Sequence, residues 1–193
     1  MEQRCQWVSD DPLYIRYHDE EWGVPQTSSQ GLFALLCLEG QQAGLSWITV
    51  LKKREAYYRL FYNFCPQKMA VMGEQEVERL LQYPEIIRHR GKINALISNA
   101  RAWLTMQQAE ESFSEFIWQF TGHQSLITER SADQPPLTQS DASVQMSKAL
   151  KKRGFKFVGP TICYAFMQAS GMIIDHQSDC FCHPRHAHRT DCR

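Results

Sequence analysis

The stretch Ala149-Leu-Lys-Lys-Arg-Gly154-Phe-Lys-Phe-Val-Gly159-Pro-Thr-Ile-Cys-Tyr164 reads as two helices joined by a short turn that two glycines bracket. Asp141 or Ser143 can cap the first helix, which runs to Arg153, and Pro160 opens the second, which runs to Ser170. Gly154 after a basic helix end fits a C-cap. Gly159, Pro160 and Thr161 place free backbone N–H groups at a helix start, where the positive dipole end can hold a phosphate. Lys151, Lys152 and Lys156 add charge beside it. Such a hairpin grips a nucleic-acid backbone without reading sequence, and Gly154, Lys156, Val158, Gly159 and Thr161 are its candidate contacts. An ordinary helical corner carries the same glycine and proline pattern.

Outward from the hairpin, apolar residues recur at helical spacing. Candidate helices cover Gly31–Glu39, Gln41–Arg54, Glu74–Gln82, Lys92–Gln108 and Ser112–Phe120, with an aromatic segment at Ala56–Phe64. Residues 124–140, with Pro135 and Pro136, read as a loop. No stretch alternates as a strand does, so the expected class is all-α, a helix-hairpin-helix unit without repeats. One unit of 193 residues is expected: a helical part over about 29–140, the hairpin region over 141–170, and terminal segments 1–28 and 171–193.

Composition excludes several classes. No apolar run reaches a membrane-spanning length, and residues 1–11 lack the basic start and apolar core of a signal peptide, so a cytoplasmic protein is expected; a monomer is the expected working unit. Net charge is zero, but the sum hides a separation. From 141 to 160, Lys148, Lys151, Lys152, Arg153 and Lys156 face one acid, Asp141. From 105 to 133, Glu110, Glu111, Glu115, Glu129 and Asp133 face one base, Arg130. A neutral chain with one basic face can still bind phosphate. A solvated helix face explains the same charges.

The seven cysteines, Cys192 among them, show no disulfide framework; Cys37 and Cys163 fall in apolar helices and read as small core residues. The two ends read as irregular and too poor in apolar surface to order themselves. Cys5 and His18 at one end, His176 and Cys180 at the other, form a Cys2His2 candidate set for a structural Zn2+ that ties them. Cys182 and His183 are rival ligands. His18-Asp19-Glu20 matches half of a zinc-deaminase signature, but no Pro-Cys-x-x-Cys run accompanies it. Four protein ligands also leave no open position for water.

Tyr14 and Tyr17 lie near Trp7 and Trp22 in the chain, and Glu39 leads into Gly40-Gln-Gln-Ala-Gly44-Leu-Ser-Trp47. Aromatic faces and a carboxylate are what a pocket for an unstacked base requires. A core tryptophan and a surface glutamate explain the same residues singly.

Taken together, Arg4–Trp7, Asp11–Pro25, Leu38–Arg54, Ile86–Ile93 and Ala149–Tyr164 closely resemble the bacterial 3-methyladenine DNA glycosylase I family, over almost the whole chain. The resemblance implies an enzyme that hydrolyses the N-glycosidic bond of 3-methyladenine in double-stranded DNA, without lyase chemistry. It places the zinc ligands on Cys5, His18, His176 and Cys180. The base pocket falls on Tyr14, Tyr17, Glu39 and Trp47, with Trp7 and Trp22 as neighbours. Glu39, Tyr17 and Trp47 carry the catalytic expectation: Glu39 favours the cationic base and the two rings stack on it. A group in the Gln42–Leu45 turn, Leu45 among the candidates, fills the gap left in the duplex. The family lacks the catalytic Asp that other hairpin glycosylases carry, and Asp175, directly before a ligand, is not assigned that role. A non-catalytic DNA-binding module and a zinc hydrolase or deaminase are the rival readings.

Overall fold

The computed structural model describes residues 2–189; Met1 and residues 190–193, Cys192 among them, lie outside the described residues. Nine α-helices occur among the described residues. They are α1 (Pro12–Glu20), α2 (Ser29–Gln41), α3 (Trp47–Leu60), α4 (Pro66–Ala70), α5 (Glu74–Leu80), α6 (Arg90–Gln108), α7 (Phe113–Trp118), α8 (Asp141–Lys152) and α9 (Pro160–Ala169). The all-α expectation holds. Its one exception is a two-residue parallel pairing of β1 (Leu126–Ile127) with β2 (Ile173–Ile174), which ties the loop after α7 to the segment after α9.

Local chemistry sets most boundaries. Asp11 accepts from the Leu13 N–H at 3.0 Å, with Pro12 in the first turn, so residues 1–28 contain a helix where an irregular segment was expected. The cap of α8 is neither Asp141 nor Ser143. Ser140 accepts from the Ser143 N–H at 3.2 Å, and the Ser143 hydroxyl accepts from the Ser140 N–H at 2.8 Å. The expected helix from Gln41 is broken at the turn 42–46 and restarts at Trp47.

The main core joins the apolar faces of α2, α6, α7, α8 and α9, with Leu32, Phe33, Ile93, Leu96, Leu150 and Phe166 fully buried and Cys37 and Cys163 among them. Each fully buried side chain of this size contributes about 2–3 kcal/mol. A second cluster collects what the first leaves out. Cys5, Tyr17, Trp22, Leu51, Ala169 and Cys180 pack together, so the two terminal segments meet against α3 and the end of α9.

Candidate active site and metal centre

A cavity of about 370 Å³ opens between the two clusters, near the lower end of the range for small-ligand pockets. All six residues expected in a base pocket line it: Trp7, Tyr14, Tyr17, Trp22, Glu39 and Trp47. They come from the N-terminal segment, α1, the turn after it, α2 and the start of α3. Tyr17 and Trp47 pack with ring centroids 5.5 Å apart at 43°, and Trp7 stands against Tyr14 and Trp22 at 5.0 Å from each.

Glu39 is not a surface residue. It is 2% exposed, and its carboxyl makes no hydrogen bond among the described residues. Burial without compensation pushes its pKa up to about 8. The group is therefore held where a cation entering the cavity would favour its ionised form. The nearby Tyr17 hydroxyl is pushed well above its usual range, by burial first and by Glu39 second, and stays neutral.

Several lining residues were not among those expected in the pocket. Arg130, Pro136, Leu137 and Thr138 bring the 124–140 loop over the cavity, and Tyr164, Ala165 and Gln168 line it from α9. Thr161, Tyr164 or Ala165, and Gln168 recur at i, i+3/i+4 spacing, a signal the sequence did carry. Asp175 stands behind the cavity wall, with its carboxylate 3.5 Å from Arg130 Nε. It is buried, accepts hydrogen bonds from Thr128 and from Gln168 (2.8 Å), and does not line the cavity.

The hairpin packs beside the cavity. Gly154, at φ +89°, closes α8: its N–H reaches the Lys151 carbonyl at 3.0 Å and the Phe155 N–H reaches Leu150 at 3.1 Å. Those two bonds satisfy carbonyls that the helix end leaves free, in a backbone conformation that favours glycine. Gly159 caps α9, and a Cβ there would meet nothing within 4 Å. The Thr161 and Ile162 N–H groups face this open side with no partner among the described residues. Lys156 is exposed, whereas the Val158 side chain is 1% exposed and belongs to the core. Only the backbone of Val158 is left for an outside contact. Asn99 of α6 clamps the turn, accepting from the Lys156 N–H at 2.7 Å and donating to its carbonyl at 3.3 Å. Arg153 pairs with Glu111 at 2.8 Å and lies over Phe116, so it contributes less to the basic face than its charge suggested. Leu45, 40% exposed, projects from the turn before α3, where Gly44 takes φ +76°.

Cys5, His18, His176 and Cys180 converge as a buried set, their donor atoms all within 4.8 Å of one another. Cys180 Sγ lies 3.5 Å from His18 Nε2 and 3.7 Å from His176 Nδ1, and Cys5 Sγ lies 3.6 Å from His176 Nδ1. Tetrahedral zinc, with bonds of about 2.3 Å to sulfur and 2.05 Å to nitrogen, requires sulfur–nitrogen edges of about 3.6 Å. The outward-facing atoms also have partners. His18 Nδ1 meets Asp19 at 2.7 Å, His176 Nε2 meets the Trp22 carbonyl at 3.1 Å, and Cys5 Sγ accepts from the Gln177 N–H at 3.3 Å. The donor set fits a closed metal site. Of the rivals, Cys182 stands beside His18 and Asp19, but His183 turns away to the Thr128 carbonyl at 2.9 Å. None of the four donors lines the cavity, and Glu20 of the deaminase half-motif is exposed. A water-activating metal at the reacting base has no support in this arrangement.

A family model described as methyladenine glycosylase matches residues 7–183. DNA-3-methyladenine glycosylase 1 of Escherichia coli (strain K12) is 60% identical over 182 residues, 94% of this chain and 97% of its own. A crystal structure of a 3-methyladenine DNA glycosylase I superposes with a TM-score of 0.93 at 63% identity, over 94% of this chain and all (100%) of the other. A Staphylococcus aureus 3-methyladenine DNA glycosylase I, solved for the structural basis of its 3-methyladenine recognition, gives 0.90 at 41%, covering 94% and 96%.

Proposed function

This chain belongs to the methyladenine glycosylase family, and from that premise we propose that it excises 3-methyladenine from double-stranded DNA in base-excision repair. It is a hydrolase of the N-glycosidic bond. The observation that carries the residue assignment is Glu39, a buried carboxyl without a partner in an aromatic cavity.

Methylation at N3 leaves the purine cationic while it is attached to the sugar, so the base is a good leaving group. The chain's task is to extrude the base, hold it, and stabilise the charge as the bond breaks. Tyr17 and Trp47 supply stacking surface, with Tyr14, Trp7 and Trp22 completing the walls. Glu39, ionised opposite the lesion's positive charge, discriminates against neutral adenine. The C1′–N9 bond breaks with its electron pair going to the purine, which leaves neutral. Water adds its oxygen at C1′ and releases a proton, leaving an abasic site.

The start of α9 holds a backbone phosphate through the Thr161 and Ile162 N–H groups, with Gly154, Lys156, the Val158 backbone and Gly159 shaping the turn. Leu45 enters the gap left by the extruded base. Cys5, His18, His176 and Cys180 would hold a structural Zn2+, which would tie the two ends of the chain together and take no part in the reaction. The working unit is a monomer.

The decisive experiment is chromatography of bases released from alkylated duplex DNA. Wild type should release 3-methyladenine, and Glu39→Gln should lose most of that release. No release by wild type would overturn the activity, and equal release by Glu39→Gln would overturn the pocket assignment.

A further inference from the structure

Lys92 lies at the third position of α6 and is 5% exposed. A lysine ammonium in such a place is costly unless its protons are satisfied. Here Nζ donates to the Gln41 carbonyl at 2.9 Å and to the Ala43 carbonyl at 2.7 Å. Both carbonyls stand at the C-terminal end of α2, where the helix has run out of N–H partners and its dipole is negative. The contact is reciprocal, because Gln41 Nε2 donates to the Lys92 carbonyl at 3.4 Å. The Tyr57 hydroxyl holds Gln41 Oε1 at 3.0 Å and accepts from the Ile87 N–H at 3.1 Å. No acidic group pairs with the ammonium among the described residues.

The segment so anchored is the one that matters most to a duplex. It begins two residues after Glu39, passes Gln42 in the cavity wall, and reaches Leu45 at an exposed tip. Gly44 at its crest has nothing within 4 Å of a Cβ position. Beside its own Gln42-to-Glu39 and Leu45-to-Gln42 backbone bonds, the turn is held from beneath by one buried cation on two carbonyls.

We propose that Lys92 is a positioning residue for excision: it sets the Gln42–Leu45 turn so that Leu45 can occupy the gap in the duplex while Glu39 meets the extruded base. The proposal rests on the glycosylase reading above. Lys92 touches neither substrate nor reacting atoms. Its effect falls mainly on duplex substrate, because a free base needs the cavity, to which the turn contributes Gln42 alone, but no filled gap.

Lys92→Met keeps the apolar stem and removes the donors. Its rate of release from methylated duplex DNA should fall about 10- to 100-fold, the scale expected when a positioned group is misplaced by about 1 Å. Its affinity for free 3-methyladenine should stay within about twofold of wild type by the same reasoning. Combined with Leu45→Ala, the losses should not add, since both variants remove one function. A folded Lys92→Met that works on duplex like wild type overturns the proposal. So does a loss of free-base affinity that matches the loss of duplex rate, or full additivity with Leu45→Ala. If Lys92→Met does not fold, Lys92→Gln retains a neutral amide donor on a shorter stem and should show the same split at smaller size; wild-type behaviour in it overturns the proposal equally. Wild type assayed in parallel separates these outcomes from failure of the glycosylase reading itself.

Discussion

The rings of Tyr17 and Trp47 meet at 5.5 Å between centroids, and the pair divides two cavities: the 370 Å³ chamber that contains Glu39 and a second of about 260 Å³ behind it. The two rings, inclined at 43°, present an aromatic surface to each chamber.

Trp47→Ala should join the two chambers and remove that surface. Stacking of a base on an aromatic ring contributes about 1–3 kcal/mol, so affinity for free 3-methyladenine should fall at least about 5-fold in calorimetric titration. A variant that binds within about twofold of wild type would show that the stacking surface is elsewhere.

Glu39 should make the free protein less stable as pH rises. Its folded pKa, about 8, lies above the unfolded value of 4.5, so the fold binds the proton more tightly than the unfolded chain does. The stabilisation is complete below pH 4.5 and is lost progressively up to pH 8. The ceiling is roughly 5 kcal/mol. Glu39→Gln lacks this loss, so its Tm should exceed that of wild type by a margin that grows between pH 5 and pH 8. A margin that is flat across this window would mean that the carboxyl is ionised in the free fold.

Chelation should loosen the ends before it silences the pocket. The four donors join residues 5 and 18 to 176 and 180, and no donor lines the cavity. Removal of one equivalent of zinc should lower Tm by more than about 10 °C. Hydrogen exchange should rise first in residues 2–8 and 175–183. Loss of excision at a temperature where those segments stay protected would instead assign the metal to chemistry.

Asn99→Ala should weaken duplex binding from a distance. The amide satisfies both backbone groups of Lys156, and its loss leaves them unpaired at a cost of about 1–3 kcal/mol. Lys156→Ala, by contrast, should leave stability unchanged and reduce the salt dependence of duplex affinity by about one phosphate contact. Equal salt slopes for Lys156→Ala and wild type would remove Lys156 from the interface.

What the sequence determined by itself was local. Apolar periodicity marked α2, α5, α6 and α7, because a helix face is written in neighbours three and four apart, and cap, glycine and proline signals marked α8 and α9. Cys5, His18, His176 and Cys180 could be chosen because donor chemistry belongs to the side chain, whatever the fold around it. Only the tertiary structure decided that Glu39 is buried without a partner, that Arg153 is spent on Glu111, and that Val158 is core. It alone put the loop at 136–138 over the cavity and placed Lys92 and Asn99 beneath the two turns. These properties depend on which elements pack together across 42 or more residues, and desolvation and long-range hydrogen bonding leave no trace in sequence spacing. The pocket's residue types were therefore legible early. Its electrostatic state, and the buried groups that hold its mouth, were not.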